Sequence, residues 1–336
     1  MERIATAIAT PNIAFVKYWG NRDERLILPA GGSISMTLDR TFTTKTTACF
    51  SPAMRRDELV LNGREVSPLD APRIVAHVNA MRRAARSKLH CRIESTSNFP
   101  TSAGIASSAS GFCALTLACA KALGMRKSMG ELSALARLGS GSATRSFFGG
   151  FVEWMEGRRK DGKDSFARQV APASHWPELR DVVAVVSEER KPISSRDAMR
   201  ITVRTSRLFK ERMKNHPKRL DAVRKAILNR DAQTLFTEIM LDSDSMHACM
   251  ADSRPPIVYM NGTSHRIAEA VEEFNAAGGM RAGYTFDAGP NAHVITAARN
   301  AGAVKKALED IEGVHKVMVS GVGPAPEYSQ KHLFKI

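Results

Sequence analysis

Short segments that suit β-strands occupy the first 95 or so positions of the chain. IATAIATPNIAFVKYWG and ELVLNGREV are typical of strands, and Asn62-Gly63 inside the second predicts a tight hairpin turn. SISMTLDRTFTTKTTACFS is rich in threonine and partly alternating, so we interpret it as strands of a sheet with a solvated face. In RIVAHVNAMRRAAR the apolar residues then recur at the spacing of a helix. This part of the chain therefore predicts a mixed domain.

Helical spacing dominates the middle of the chain, and alternation returns near its end. A long apolar helix is predicted to follow the strand CRIESTSNFP and to end at Gly124. Short helices in KSMGELSALARL and SATRSFFGG, and strands in FVEWMEG and DVVAVVSEE, come before a helical region from Ser194 to about Val271. AGYTFDAG, NAHVITAA, AVKKALEDIEG and HKVMVSGVGP then alternate strand with helix. The pattern as a whole predicts an α+β protein.

Composition narrows the class of protein. With 336 residues, 43% of them hydrophobic, the chain is large enough for one large or two ordinary globular domains. Its five cysteines are scattered without the spacing of a zinc site, which indicates reduced thiols. Neither a signal peptide nor an apolar run long enough to span a membrane is evident. We therefore predict a soluble, cytoplasmic protein.

Positive charge is concentrated in one region of the chain. The formal net charge is +15, and residues 190–230 contain fourteen basic residues against three acidic ones. These residues lie on amphipathic helical patterns that lack RNA-binding aromatic residues or a DNA-binding motif, so we interpret them chiefly as solvated helix faces. Attraction of small polyanions is the second interpretation, because a net positive field raises the local anion concentration. Nucleic-acid binding is the least favoured.

Two serine-rich turns carry the strongest chemical signal. In NFPTSAGIASSAS a strand leads through small residues directly into the apolar helix, an arrangement that brings backbone N–H groups and hydroxyls to a helix N-terminus and so predicts a phosphate site. It is not a Walker motif, since no Gly-Lys-Ser/Thr occurs. In LGSGSATRSFFGG, Ser140, Ser142 and Arg145 lie within six positions, which suits a carboxylate or phosphate ligand. Tight helix packing and a solvent-facing arginine are the structural alternatives.

Two further segments contain candidate functional residues. In PNIAFVKYWG, Lys17, Tyr18 and Trp19 follow a strand, and such a cationic and aromatic cluster favours a binding surface. In GYTFDAGPNAHV, a single carboxylate, Asp287, stands between an aromatic strand and a Gly-Pro turn. An aspartate in that position often closes a turn by accepting backbone N–H bonds, so the local sequence alone leaves its role open.

Taken together, PNIAFVKYWGNRD, NFPTSAGIASSASGF, SGSATRSFFGGFVEW, the SSRDAM segment and YTFDAGPNA resemble the diphosphomevalonate decarboxylases of the GHMP kinase superfamily. The resemblance extends over almost the whole chain, with the motifs in the family's order. It implies a GHMP kinase fold with a ribosomal-protein-S5-like N-terminal ATP-binding domain, residues 1–187, and a ferredoxin-like C-terminal domain, residues 188–336, with a cleft between them. It also implies a cytoplasmic homodimer that decarboxylates mevalonate 5-diphosphate with ATP and Mg²⁺ to give isopentenyl diphosphate.

The resemblance also implies a role for each motif residue. Asp287 matches the family's catalytic acid, which takes the proton of the substrate's 3-hydroxyl, and Lys17 is expected to keep it ionised. Arg145 is expected to bind the C1 carboxylate with Ser140 and Ser142, and Tyr18 and Arg196 to contact the 5-phosphate groups. The ATP phosphates are expected at Ser102, Gly104, Ala106, Ser107 and Ser108, with Ser108 as a weak candidate Mg²⁺ ligand.

The chain departs from the family pattern near the expected phosphate end of the substrate. Asn21 stands where the family usually has a lysine, and Gly31, Gly32 and Ser33 stand where it usually has Asn-Ser-Ser. A charge-assisted contact worth about 1.5 to 3 kcal/mol is lost with the lysine if the site is buried. Mevalonate 5-monophosphate is therefore an alternative substrate, and a kinase that stops at the 3-phosphate is a less favoured third possibility.

Overall fold

The computed structural model describes residues 3–99, 107–189 and 192–335. Its strands are β1 (Arg3–Ala9), β2 (Asn12–Val16), β3 (Asn21–Asp23), β4 (Leu28–Pro29), β5 (Ser33–Thr37), β6 (Thr44–Ser51), β7 (Glu58–Leu61), β8 (Arg64–Val66), β9 (His90–Ser97), β10 (Phe151–Trp154), β11 (Ala167–Ala171), β12 (Leu179–Val185), β13 (Ala282–Phe286), β14 (Ala292–Ala297), β15 (Lys316–Gly321) and β16 (Glu327–Ser329). Its helices are α1 (Pro72–Ala85), α2 (Ser107–Ala122), α3 (Met129–Ala136), α4 (Ser195–Thr205), α5 (Leu208–Asn229), α6 (Ala232–Ala251), α7 (Gly262–Ala276) and α8 (Ala298–Glu309), with 3₁₀ turns at Gly141–Phe147 and Ala173–His175.

A six-stranded sheet in the order β16-β1-β6-β9-β7-β8 forms the first layer. Its core face packs on α2, whose many alanines and other small residues let the helix approach the strands closely. The hairpin at Asn62-Gly63 is confirmed, with positive φ at both residues as a tight two-residue turn requires. This layer sets the direction of α2, whose first described residues are Ser107 and Ser108.

The prediction that the threonine-rich strands have a solvated face is wrong. Strands β5 and β6 are buried along nearly their whole length. Several of their hydroxyls are paired internally, since Thr44 Oγ1 lies 2.7 Å from Ser110 Oγ and Thr46 Oγ1 lies 2.8 Å from Ser95 Oγ. A hydroxyl that has a hydrogen-bond partner can be buried at little cost in free energy. Threonine content therefore does not identify a solvent-exposed face of these strands.

A second sheet, in the order β11-β10-β5-β2, lies between the first layer and the C-terminal helices. Phe15, Ile34, Met36 and Phe151 from this sheet share a core with Val223 and other residues of α5 and α6. Strand β11 was missed in the sequence because its ARQVA segment has two adjacent polar residues, both exposed, in place of an alternating apolar pattern. This shared core fixes the end of β2, and with it Lys17, against α6.

The third sheet is antiparallel, in the order β13-β14-β12-β15. With α7 and α8 packed against it, its strands follow the β-α-β-β-α-β connectivity and strand order of a ferredoxin-like unit, as predicted. Strand β12 precedes the predicted boundary at residues 187 and 188, yet it pairs with two strands of this sheet. The division of the chain itself stays a prediction. Strand β16 returns to pair with β1 in the first sheet.

The remaining expectations about local structure agree with the fold. Helices α4 to α7 occupy the region predicted to be helical, and the α+β class is confirmed. All five cysteines are buried and outside any disulfide. In the described part of the chain, the helices are too short or too polar to cross a membrane.

One ion pair is enclosed in the interior face of the third sheet. His293 Nδ1 on β14 lies 2.7 Å from Asp181 Oδ2 on β12, and both side chains are buried. Burial opposes the charged imidazole, but the attraction of Asp181 outweighs it and raises the pKa of His293 above its usual value. The protonated histidine is therefore favoured in the folded protein.

Asp181→Asn is expected to destabilise the fold in a pH-dependent manner. A raised folded pKa means that the stabilisation is complete below the unfolded histidine pKa of about 6.5 and is lost as the pH rises through the folded value. The free energy of unfolding should therefore fall by about 3 kcal/mol at acidic pH and by less at alkaline pH. Urea unfolding of both proteins at about pH 6 and about pH 9 measures the difference. A difference that stays constant or grows with pH would contradict the assigned charge.

Candidate active site

A cavity of about 940 Å³ lies where the second sheet, the 3₁₀ turn at Gly141–Phe147, α4 and the end of β13 meet. Its walls include all of the predicted site residues that the structure describes: Lys17, Tyr18, Ser107, Ser108, Ser140, Ser142, Arg145, Arg196 and Asp287. Ser102, Gly104 and Ala106 lie outside the described residues. Lys17 and Asp287, 270 positions apart in sequence, therefore meet at one volume large enough for two small ligands.

The predicted acid and lysine form an ion pair in this cavity. Lys17 follows the last residue of β2 and Asp287 follows the last residue of β13, and Lys17 Nζ lies 2.6 Å from Asp287 Oδ1. The lysine side chain is 2% exposed, whereas the aspartate side chain is 33% exposed. The pair therefore directs a carboxylate toward the cavity while burying its counter-ion.

Arg145 is held behind the same pair by two side chains. Its Nε donates to Asn12 Oδ1 at 3.1 Å and its Nη1 donates to Ser33 Oγ at 2.6 Å. Burial lowers the pKa of Arg145 to about 10 against the attraction of Asp287, so the guanidinium is still charged at neutral pH. Asn12 was missed in the sequence because a polar residue inside a strand carries no local signal of function. Ser33 was noted only as a departure from the family pattern.

A row of hydroxyls connects the two serine-rich turns. Ser140 Oγ donates to Ser108 Oγ at 3.2 Å and lies 3.1 Å from Ser142 Oγ. Ser107 and Ser108 begin α2, so the described part of the predicted phosphate turn does open a helix. Asn12 Nδ2 donates to the carbonyl of Ser142 at 3.1 Å and ties the second turn to β2. The hydroxyls lie where a ligand in the cavity could bridge both turns.

Cations and a buried phenol line another part of the cavity wall. Burial raises the pKa of Tyr18 well above its usual value, and its hydroxyl donates to Asn21 Oδ1 at 2.5 Å. Arg196 lies in the first turn of α4. Arg73, at the start of α1, was missed in the sequence; its Nη2 donates to the carbonyl of Gly139 at 3.0 Å. Burial and repulsion from Arg196 lower the pKa of Arg73, as expected where two cations face a shared anion site.

The residues that depart from the family pattern have different surroundings. Asn21 Nδ2 donates to Glu24 Oε1 at 3.2 Å, so its amide is held between Tyr18 and an acid. Gly31 and Gly32 lie instead against α5, where a Cβ on Gly31 would be 2.6 Å from the ring of His216. His216 Nε2 also lies 2.6 Å from the carbonyl of Gly32. Close packing of α5 thus accounts for Gly31, whereas a Cβ on Gly32 would lie 3.1 Å from both Leu220 and the carbonyl of Trp154.

The basic helices use part of their charge internally. Arg212 and Arg219 of α5 point inward to Asp242, and Arg224 pairs with Glu153. Lys214 and Lys225 pair with acids one helical turn away. The interpretation of the basic residues as solvated helix faces holds for these two lysines. Arg212, Arg219 and Arg224 are instead partners in internal ion pairs.

Known protein families account for both halves of the chain. Residues 9–167 match the diphosphomevalonate decarboxylase-like N-terminal domain, and residues 181–328 match the mevalonate 5-diphosphate decarboxylase C-terminal domain. The diphosphomevalonate decarboxylase of Candida albicans is 42% identical, with 98% of this chain and 99% of that protein covered. The bovine diphosphomevalonate decarboxylase is 46% identical, with 87% of this chain and 76% of that protein covered.

Solved structures give the same result for the fold. The mevalonate diphosphate decarboxylase of Staphylococcus aureus is 33% identical, with a TM-score of 0.92 that covers 98% of this chain and 99% of that one. The enzyme of Enterococcus faecalis is 35% identical, with a TM-score of 0.91, and 98% of this chain and 100% of that one are covered. A further structure, solved in complex with MVAPP, AMPPCP and magnesium, is 36% identical and has a TM-score of 0.91. The comparison covers 98% of this chain and 100% of that one. The predicted GHMP kinase fold is thus confirmed, and the chain belongs to the diphosphomevalonate decarboxylase family.

Proposed function

We propose that this protein catalyses the ATP-dependent decarboxylation of mevalonate 5-diphosphate to isopentenyl diphosphate, CO₂, ADP and phosphate. The observation that carries the proposal is the Lys17–Asp287 pair at 2.6 Å, in one cavity with the buried Arg145 and the hydroxyl row. The names of the relatives support it, and the Enterococcus faecalis structure describes ATP binding mediated by mevalonate diphosphate. The reaction needs a base, a carboxylate site and two phosphate sites within one enclosure.

In the first half of the reaction, Asp287 orients the substrate's 3-hydroxyl and accepts its proton. A tertiary alcohol is far less acidic than a carboxylic acid, so the proton leaves as the oxygen forms its bond to the γ-phosphorus of ATP and ADP departs. Lys17 keeps the carboxylate fixed and balances its charge. Positioning, rather than strong basicity, is the main contribution of this pair.

In the second half, the 3-phosphate leaves with the electrons of the C3–O bond. The electrons of the bond between C1 and C2 then form the alkene between C2 and C3, and C1 departs as CO₂. Arg145, held by Asn12 and Ser33, binds the C1 carboxylate, and Ser140 and Ser142 donate to the same substrate. A fixed guanidinium keeps the carboxylate aligned with the breaking bond, and the reaction needs no cofactor to accept electrons.

The phosphate groups of both substrates have separate candidate partners. Tyr18, Arg196 and Arg73 suit the 5-diphosphate, because two of them are cations that repel each other without an anion between them. Ser107 and Ser108, at the start of α2, suit the ATP phosphates. Ser102, Gly104 and Ala106 remain predicted partners of ATP.

The donor set also fits a Mg²⁺ ion that arrives with ATP. Among the described residues, no group of three His, Cys, Asp or Glu could hold a metal by itself. Mg²⁺ commonly keeps phosphate oxygens and waters as ligands and needs few protein ligands, so the hydroxyl of Ser108 is a sufficient candidate. When bound, the ion neutralises charge on the phosphates.

The same proposal extends to the organisation of the protein. We propose an N-terminal ATP-binding domain and a C-terminal domain near the predicted boundary at residues 187 and 188. The pairing of β12 supports moving that boundary to before Leu179. A cytoplasmic homodimer, as the family resemblance implies, completes the proposal.

Asn21 favours a second candidate, the decarboxylation of mevalonate 5-monophosphate. Its neutral amide, held by Tyr18 and Glu24, stands in place of a lysine that would add positive charge at the phosphate end. Arg73 and Arg196 nevertheless retain two cations on that wall, which supports the diphosphate.

Incubation with ATP, Mg²⁺ and, separately, mevalonate, its 5-phosphate and its 5-diphosphate tests both candidates. We expect release of CO₂ and ADP with the 5-diphosphate at the highest kcat/KM. A preference for the 5-phosphate would transfer the function to the second candidate, and ADP without CO₂ would indicate a kinase that stops at the 3-phosphate.

A further inference from the structure

Through two adjacent residues, helix α6 bonds the main chain of Lys17 and of the residue that precedes Asp287. Asp242 Oδ2 accepts the backbone N–H of Lys17 at 2.7 Å. Ser243 Oγ accepts the backbone N–H of Phe286, the residue before Asp287, at 3.0 Å. Both side chains are completely buried. One helical turn thus fixes the main chain at the end of β2 and at the end of β13.

Asp242 is itself held in place by charge. Arg212 of α5 donates from Nη1 to the main-chain carbonyl of Asp242 at 2.9 Å and from Nη2 to its carboxylate at 3.0 Å. Arg219 Nη1 lies 3.6 Å from the same carboxylate. Burial opposes ionisation, but the attraction of Arg212 outweighs it and lowers the pKa of Asp242, so the acceptor for Lys17 is an anion.

A buried ion pair is weak evidence for stability alone, since apolar residues of similar volume can replace such pairs without loss. A buried ion pair does, however, fix the relative positions of the groups that it joins. Glu153 is a comparable buried acid, but its partners are the side chains of Arg168 on β11 and Arg224 on α5. Asp242 differs because one of its partners is the peptide group of a residue in the active site.

We propose that Asp242 and Ser243 are positioning residues that hold Lys17 and Asp287 at the separation the reaction requires. The inference rests on the proposed function for the role of the pair, although the geometric claim stands independently of it. Because the two bonds come from one turn of helix, loss of either lets one strand end move relative to the other. A displacement of about 1 Å in such a site can lower the rate about a hundredfold.

Ser243→Ala and Asp242→Asn test the proposal by steady-state kinetics. We expect kcat to fall about tenfold in the first variant and about a hundredfold in the second, which also loses the charge that fixes Arg212, while the KM for ATP stays unchanged. Ser133→Ala and Glu153→Gln are the matched controls. Ser133 Oγ accepts a backbone N–H from Ala167 at 2.9 Å, and both control residues are buried away from the cavity. The controls should lose thermal stability and keep kcat.

A crystal structure of each variant provides a readout that does not depend on activity. We expect the Lys17 Nζ to Asp287 Oδ1 separation to exceed the present 2.6 Å by about 1 Å. If Ser243→Ala keeps both the separation and kcat, the positioning role is wrong even if Asp242→Asn fails to fold. If the wild-type protein releases no CO₂ from any of the three substrates, the proposed function fails. If the separation between Lys17 and Asp287 nevertheless increases in the variants, the positioning role stands.

Discussion

Asp287→Ala is expected to lower kcat at least about a thousandfold, because it removes both the proton acceptor and the group that orients the 3-hydroxyl. ATP binding should be nearly intact, since the serines at the start of α2 do not depend on this carboxylate. Single-turnover release of CO₂ and ADP, together with a calorimetric titration of ATP, measures the two effects separately. Asp287→Asn keeps the shape of the side chain and should lose almost as much activity.

Asp39→Asn is the matched control for this prediction. Asp39 is another aspartate at a strand end, but it accepts bonds from Thr41, Ser320 and the backbone of Gly321, away from the cavity. Its replacement should reduce stability and leave kcat unchanged. Appreciable decarboxylation by Asp287→Ala would exclude the role given to that residue.

Arg145→Gln is expected to reduce kcat/KM for the phosphorylated mevalonate about a hundredfold, the equivalent of about 3 kcal/mol for a lost pair of charge-assisted hydrogen bonds. Glutamine retains hydrogen-bonding capacity toward Asn12 and Ser33 but cannot neutralise a carboxylate. The KM for ATP should change little, because the effect concerns the C1 end of the other substrate. Steady-state kinetics with each substrate varied in turn provides the measurement.

Arg137→Gln provides the comparison for Arg145→Gln. Burial lowers the pKa of Arg137 to about 10, as for Arg145, but Arg137 donates to the carbonyls of Leu26, Gly162 and Ser165 and does not line the cavity. Its loss should lower the melting temperature with kcat/KM maintained. Equal losses of kcat/KM in the two variants would mean that Arg145 acts only through the fold.

The candidate site was predictable where a local motif carries the chemistry. The serine-rich turn before α2 and the Ser-Arg turn at residues 140–145 predict anion binding from their residue types, and the structure brings the described residues of both turns to one cavity. Asp287 is different, because its own segment is equally consistent with a turn and its partner Lys17 lies 270 positions away. That pairing followed from the family resemblance. Asn12 and Arg73 gave no comparable signal, since one is a polar residue in a strand and the other follows a helix-starting proline.

Fold prediction succeeded where hydrophobic periodicity is strong and failed where tertiary contacts override it. Helices α4 to α8 and strands β12 to β15 occur where their patterns predict them, although α8 begins and ends about one turn earlier than predicted. Burial of the threonine strands depended on hydroxyl partners in β9 and α2 that no local window contains. Strand β16 pairs with β1 from the opposite end of the chain, and only the folded structure brings them together.

The glycines at positions 31 and 32 show how a departure from a family pattern can have a local cause. In the sequence they belong with Asn21 as candidate determinants of phosphate number. Their contacts with His216 and Leu220 of α5 give them a packing role, because a side chain on Gly31 would collide with the imidazole. Asn21, bonded to Tyr18 on the cavity wall, is the position that remains relevant to the phosphate tail.

The ratio of CO₂ to ADP released from mevalonate 5-diphosphate tests the central claim most directly. Purified protein with ATP, Mg²⁺ and substrate labelled at C1 allows both products to be counted in the same reaction. The account predicts equal amounts of CO₂ and ADP throughout, with both absent when either substrate is left out. The account would be contradicted by release of ADP without CO₂. It would also be contradicted if adding mevalonate 5-diphosphate did not raise the rate of ADP release above that with ATP alone.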